Sequence, residues 1–317
     1  MTNLLFLLFG IALLTLGGEA LIRSSLAAAK RFGLSPLLSG LIIVGFGTSA
    51  PELVVSIDAA MSHQADIAVG NVVGSNIGNI LLILGLCAVI TPLTISALAL
   101  KRDASVMLAS SVIFSVLAFN HFISFFDGLL LLAMLFIYLI YTYKTEKQQQ
   151  SAQALLHVDE ANEVTVLPQS LLVSSAMLIA GLALLIVGSK VLLIGAIGVA
   201  QAFGISEGVI GLTVVAVGTS LPELTVSVIA ALRKHADVAV GNILGSNIFN
   251  MLGILGVSAL LQPLPLSSRI MHFDQWVLLA TSLLLVAFLY TGRRVGRGEG
   301  AILLLGYCAY LAVTVNL

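Results

Sequence analysis

Glu52 and Glu223 are acidic residues set deep inside long apolar stretches, and each follows a proline, Pro51 or Pro222. A carboxylate at the centre of a membrane helix costs roughly 2.5–3.5 kcal/mol, so a residue of this kind implies a site. A helical proline lacks an N–H and clashes with the carbonyl four residues back, which breaks the helix and frees carbonyl oxygens near Gly47 and Gly218. Gly45, Gly47 and Gly218 loosen the same backbone. Thr48, Ser49, Thr219 and Ser220 place hydroxyls one turn before the carboxylates, and Ser56 and Ser227 follow on the same helix face. A second cluster adds Ser75 and Asn79, four residues apart, and Ser246 and Asn250 in the same register. The donors are therefore carboxylate, hydroxyl, amide oxygen and carbonyl. An oxygen-only set suits hard cations such as Na⁺, Ca²⁺ or Mg²⁺, not zinc or copper. Two carboxylates would be neutralised by one Ca²⁺ or by two Na⁺. Left empty, two nearby carboxylates repel, so H⁺ competes for the same place. Helix–helix hydrogen bonding is the competing account of the hydroxyl and amide residues. It is the stronger account for Asn71, Asn76, Asn242 and Asn247.

These residues occur twice because the stretch that carries them occurs twice. Residues 47–85 and 218–256 align without a gap at an offset of 171, with 25 of 39 positions identical. Pro51 falls on Pro222, Glu52 on Glu223, Ser75 on Ser246 and Asn79 on Asn250. Fainter echoes, such as Gly17 with Gly188, Phe32-Gly33 with Phe203-Gly204 and Asp103 with Asp274, extend the duplication across a whole half of the chain.

The elements that must position these donors are membrane helices. The 317 residues are 59% apolar and only 9% charged, and mean hydropathy is +1.12. Long apolar runs without period-two alternation predict an all-α polytopic membrane protein. Ten spans are expected, at about 4–22, 36–60, 66–90, 104–119, 123–143, 170–189, 206–231, 238–261, 275–290 and 300–316. With the N-terminus outside, twelve Lys and Arg residues between Arg23 and Arg297 fall in loops of one side, against Lys190 and Arg269 on the other. The positive-inside rule then puts both termini outside and residues 144–169 in the cytoplasm as a flexible linker. The halves are 1–143 and 170–317. Five spans per half is odd, so the copies enter the membrane in opposite senses, as two inverted five-helix repeats. The turn SHQAD after the first motif becomes RKHAD after the second, gaining positive charge where the cytoplasm is expected. The net charge of −1 gives no reason to expect a nucleic-acid partner. Cys87 and Cys308 lie in apolar runs and read as buried thiols. The N-terminal apolar run has no basic residue before it and reads as a first membrane helix.

GTSAPE and GTSLPE, each followed by GNVVGSN or GNILGSN, resemble the paired alpha repeats of the calcium/cation antiporter superfamily, and most of all its prokaryotic sodium/calcium exchanger branch. The resemblance spans essentially the whole chain. It implies ten helices, outward termini, a prokaryotic cytoplasmic (inner) membrane, and alternating access in which helices one and six slide as a pair. It implies exchange of several Na⁺ for Ca²⁺, with Na⁺ and Ca²⁺ as transported ligands, the bilayer as surroundings, and no resident cofactor or obligate protein partner. By position, Glu52 and Glu223 become the central ligands, completed by Thr48, Ser49, Ser75, Asn79, Thr219, Ser220, Ser246 and Asn250. Some relatives, including K⁺-dependent exchangers, carry Asp where this chain has Asn250. Amide in both copies makes the site symmetric and argues against K⁺ co-transport.

Other classes fit less well. An H⁺-coupled or K⁺-linked Ca²⁺ antiporter is the nearest alternative, because the glutamates can carry protons. A channel would need no counter-ion. An intramembrane hydrolase needs a nucleophile with a base, and His63, His121, His157, His235 and His272 all fall in loops or at span ends. The chain reads as a transporter, not an enzyme.

Overall fold

In lipid, a chain can span only where its backbone groups are satisfied within the segment, and here that means helices. The computed structural model describes residues 2–94, 100–162, 170–203 and 218–316. In chain order the helices are α1 (Thr2–Phe32), α2 (Pro36–Thr48), α3 (Ala50–Met61), α4 (Ala65–Ile90), α5 (Ser105–Ala118) and α6 (Phe125–Asn162). They continue with α7 (Leu171–Ala202), α8 (Leu221–Leu232), α9 (Ala236–Leu261), α10 (Ile270–Gly292) and α11 (Arg297–Asn316). Among the described residues six helices are long and apolar enough to cross a membrane, and α2 with α3, bent by 43°, makes a seventh. The expected fourth span contains α5, and the expected tenth lies within α11. The expected seventh begins at 206–217, outside the described residues, and its described part ends in α8.

Three features depart from the sequence reading. Helix α6 runs on to Asn162, so most of the stretch expected to be a flexible linker is helical, and 163–169 lie outside the described residues. Cys87 is buried, but Cys308 is exposed. In lipid an apolar run does not distinguish the protein interior from the outward face, and Phe126, Phe136 and Leu172 are likewise exposed. Four two-residue strands also occur: β1 (Leu93–Thr94), β2 (Phe122–Ile123), β3 (Leu264–Pro265) and β4 (Arg294–Val295). β1 pairs antiparallel with β4, and β2 with β3. Since β3 is the counterpart of β1 at the repeat offset, each half lends a strand to the other in the same way.

Paired contacts of this kind recur. Tyr138 donates to Asp103 at 2.8 Å, and Tyr310 to Asp274 at 3.0 Å. Arg102 pairs with Asp103 at 2.7 Å and with Glu146 at 3.2 Å, tying the entry to α5 onto α6. Arg269 pairs with Asp274 at 3.1 Å. Helices α1 and α7 touch through backbone: a Cβ at Gly17 would lie 2.8 Å from the Gly181 carbonyl, and one at Gly181 would lie 3.0 Å from that of Gly17. Small residues permit this approach where no hydrophobic force drives helices together.

Wide π-helical turns interrupt the helices at Gly40–Gly45, Asn79–Leu84, Leu100–Ala104, Phe249–Ile254 and Ile270–Asp274. Such turns gather at functional sites, and two of them contain Asn79 and Asn250. Nothing in the residue pattern announced them.

Candidate cation site

The helix break forms where the prolines require it. Ser49 has φ −80° and ψ 7°, and Ser220 has φ −87° and ψ 11°, so the chain leaves helical geometry at the same place in both copies. Pro51 and Pro222 then open α3 and α8, where a missing N–H costs nothing. Glu52 and Glu223 consequently sit in the first turn of a new helix, whose N-terminal dipole favours a negative charge. Each is only 1% exposed.

The copies then exchange partners. Ser220 Oγ donates to Glu52 Oε1 at 3.1 Å, and Ser49 Oγ donates to Glu223 Oε1 at 3.0 Å. Thr219 lies beside Glu52 and Thr48 beside Glu223, and the two carboxylates are close enough to repel. Each glutamate is thus held by hydroxyls of the other half. The second oxygen of each, Oε2, is buried with no partner among the described residues.

The amide residues expected with them are buried as well. Asn79 Nδ2 donates to Asn247 Oδ1 at 3.2 Å, which leaves Asn79 Oδ1 buried and unpartnered. Asn250 has neither amide atom paired among the described residues. Ser246 Oγ donates to the Gly45 carbonyl at 3.0 Å. Ser75 Oγ stands 3.5 Å from Ser220 Oγ. Unpaired buried polar atoms cost roughly 1–3 kcal/mol each, and both glutamates and both amides expected at the site carry at least one. Of the ten residues expected from sequence, Thr219 is half-buried and the other nine are buried.

The two sides of the site differ. A cavity of about 20 Å³ beside Ser75 and Ser220 is lined by Gly74, Gly78, Leu82, Ile83, Leu224 and Tyr307. The counterpart of Gly78 is Phe249, which stacks on Phe46 with ring centroids 4.4 Å apart. Gly245 is packed so tightly that a Cβ would strike the Leu41 carbonyl. Among the described residues a cavity thus lies beside Ser75 and Ser220, while the counterpart positions Phe249 and Gly245 are closely packed.

Sequence reasoning favours packing for Asn71 and Asn242, and the structure gives both a place beside the site. Asn71 Nδ2 donates to the Glu52 carbonyl at 3.1 Å and to Ser56 Oγ at 2.9 Å. Asn242 Nδ2 donates to the Glu223 carbonyl at 3.3 Å and to Ser227 Oγ at 2.8 Å. Each fastens the first turn that carries a glutamate. Their recurrence at the repeat offset was the available signal. Among the described residues no three His, Cys, Asp or Glu side chains converge. The donor set is two carboxylates amid neutral oxygens, which fits a hard cation taken up and released as cargo.

Comparison with known proteins agrees with this chemistry. The profile of the family "Sodium/calcium exchanger protein" matches residues 2–144 and 173–316. The chain belongs to that family, whose members are membrane antiporters and not enzymes. It is 35% identical over 356 residues to the sodium/calcium exchanger MaX1 of Methanosarcina acetivorans, covering 98% of each chain. It is 35% identical over 312 residues to the inner membrane protein YrbG of Escherichia coli, covering 97% of this chain and 95% of that one. A solved structure of the sodium-calcium exchanger NCX_Mj, soaked with zero Na⁺ and Ca²⁺, superposes with a TM-score of 0.84 at 33% identity, covering 99% of both chains. The protein is a multi-pass membrane transporter with the all-helical fold of that exchanger.

Proposed function

We propose that this protein exchanges Na⁺ for Ca²⁺ by alternating access around Glu52 and Glu223. The observation that carries the proposal is the reciprocal pair of bonds, Ser220 to Glu52 and Ser49 to Glu223, each leaving one carboxylate oxygen unpartnered among the described residues. The free oxygens, with Asn79 Oδ1 and Asn250 Oδ1, supply the ligands of a hard cation. The hydroxyls of Thr48, Ser49, Thr219, Ser220, Ser75 and Ser246 add lone pairs around it. Two negative charges balance one Ca²⁺; several Na⁺ can replace it, and a third would leave the loaded site positive and transport electrogenic. Each net charge moved is worth about 2.3 kcal/mol per 100 mV.

The architecture that goes with this reading is ten helices in two inverted repeats, with both termini outside an inner membrane. Its support is the counterpart pairing of strands across halves, the two separate blocks matched by the family profile, and the excess of basic residues in one set of loops. Exchange of the hollow and filled sides would carry the site from one face of the membrane to the other.

The test is ⁴⁵Ca²⁺ uptake into proteoliposomes preloaded with Na⁺, against K⁺-loaded and pH-gradient controls. Uptake that requires internal Na⁺ is the expected result. Uptake driven by a pH gradient alone would make the coupling ion H⁺, the second reading that two protonatable carboxylates allow.

A further inference from the structure

We propose that Asn242 is a positioning residue that holds the Thr48 hydroxyl ready to accept a cation and locks it to the helix turn bearing Glu223. The inference rests on the cation site proposed above and deepens it. Thr48 belongs to the first half of the chain and Asn242 to the second. Thr48 Oγ1 donates to Asn242 Oδ1 at 3.1 Å, and Asn242 is fully buried. A longer contact of 3.3 Å reaches the Gly45 carbonyl, which Ser246 already occupies.

The amide cannot turn over. Its Nδ2 donates to Ser227 Oγ and to the Glu223 carbonyl, so Oδ1 must face Thr48. A threonine hydroxyl has a single proton. Glu223 lies within reach of the same hydroxyl; with the proton given to Asn242 instead, both lone pairs are free for a cation. The same amide fixes the backbone of Glu223, so the hydroxyl of one half and the carboxylate of the other move as one unit. Asn71, the repeat counterpart, makes the two equivalent bonds to Glu52 and Ser56, but no bond joins it to Thr219 among the described residues. Asn71 is therefore an internal control: it has the tether without the cross-half contact.

The test is a double-mutant cycle on equilibrium ⁴⁵Ca²⁺ binding to purified, detergent-solubilised full-length protein. Asn242→Ala should raise the Ca²⁺ Kd by about three- to tenfold, the size of one lost hydrogen bond at a ligand. In the Thr48→Val background the cost should fall to that of Asn71→Ala, the tether alone, because the hydroxyl that Asn242 holds is gone. In the Thr48→Ser background the full cost should return. Asn71→Ala and Thr48→Val should multiply, since those side chains do not meet. If Asn242→Ala does not yield monodisperse protein, Asn242→Ser takes its place in the cycle, offering a hydroxyl to Ser227 but too short to hold Thr48. A merely structural role predicts that Asn242 and Thr48 variants also multiply, and that result overturns the inference, as does an unchanged Kd in Asn242→Ala. Wild-type protein that binds no Ca²⁺ overturns the cation site itself and this inference with it.

Discussion

Ser111 and Ser282 hydrogen-bond to each other at 3.1 Å, and they are the same residue of the two repeats, 171 positions apart. In the proposed inverted-repeat arrangement, a residue touches its own counterpart only close to the axis that relates the copies. The pair is buried between α5 and α10, and the proposed alternating access would leave this part of the molecule in place. Changing both to cysteine, in a chain freed of Cys87 and Cys308, should allow an oxidative cross-link that retains Na⁺-driven Ca²⁺ uptake. Uptake lost on oxidation and recovered on reduction would show that α5 and α10 separate during transport.

Glu52→Gln and Glu223→Gln each remove one of two charges while keeping shape. At an effective dielectric of 20, two unit charges 4 Å apart interact by about 4 kcal/mol, and a divalent cation by twice that, about half of which the amide oxygen and water that remain can restore. Ca²⁺ affinity should fall by roughly a hundred- to a thousandfold in either variant. The two should be alike, because each carboxylate has an equivalent hydroxyl donor. ⁴⁵Ca²⁺ uptake across a wide Ca²⁺ range reads the shift. A variant with wild-type uptake would remove that glutamate from the site.

Protons and Ca²⁺ compete for the same carboxylates, which gives the pH dependence its sign. Ca²⁺ needs the ionised pair, so its KM should rise as pH falls, by about tenfold per pH unit while one proton is displaced per Ca²⁺ bound. The maximal rate at saturating Ca²⁺ should change less than KM. Uptake titrated at several pH values in vesicles without a pH gradient checks this. A KM independent of pH would mean that the carboxylates do not hold the cation.

Gly245 has no room for a side chain, since a Cβ there meets the Leu41 carbonyl of α2. Gly245→Ala must push α2 away from α9, at a cost of about 1–3 kcal/mol for overpacking. Gly74, the counterpart on the hollow side, has open space: a methyl group added there would meet nothing within 4 Å among the described residues. Gly74→Ala should leave thermal stability in detergent unchanged while Gly245→Ala lowers it, read by size-exclusion chromatography after heating. Equal losses in the two would contradict the difference between the two approaches.

The class of the protein and the contents of its site follow from local constraints, and those are written in the order of residues. Apolar runs require helices, a buried glutamate requires partners, and a proline next to it requires a helix end; the repeat states each of these twice. The break at Ser49 and Ser220 follows from such a constraint. Which half serves which glutamate was not legible, because the Ser220–Glu52 and Ser49–Glu223 bonds join residues 168 and 174 positions apart. Asn242 reads as packing because its donors meet its own helix pair, while the oxygen that reaches Thr48 crosses to the other half. Cys308 reads as interior because lipid and protein core select the same apolar residues. The hollow side at Gly78 and the filled side at Phe249 were visible as letters, but their consequence was not. What a ring fills depends on what it packs against, and only the tertiary structure set Phe249 on Phe46.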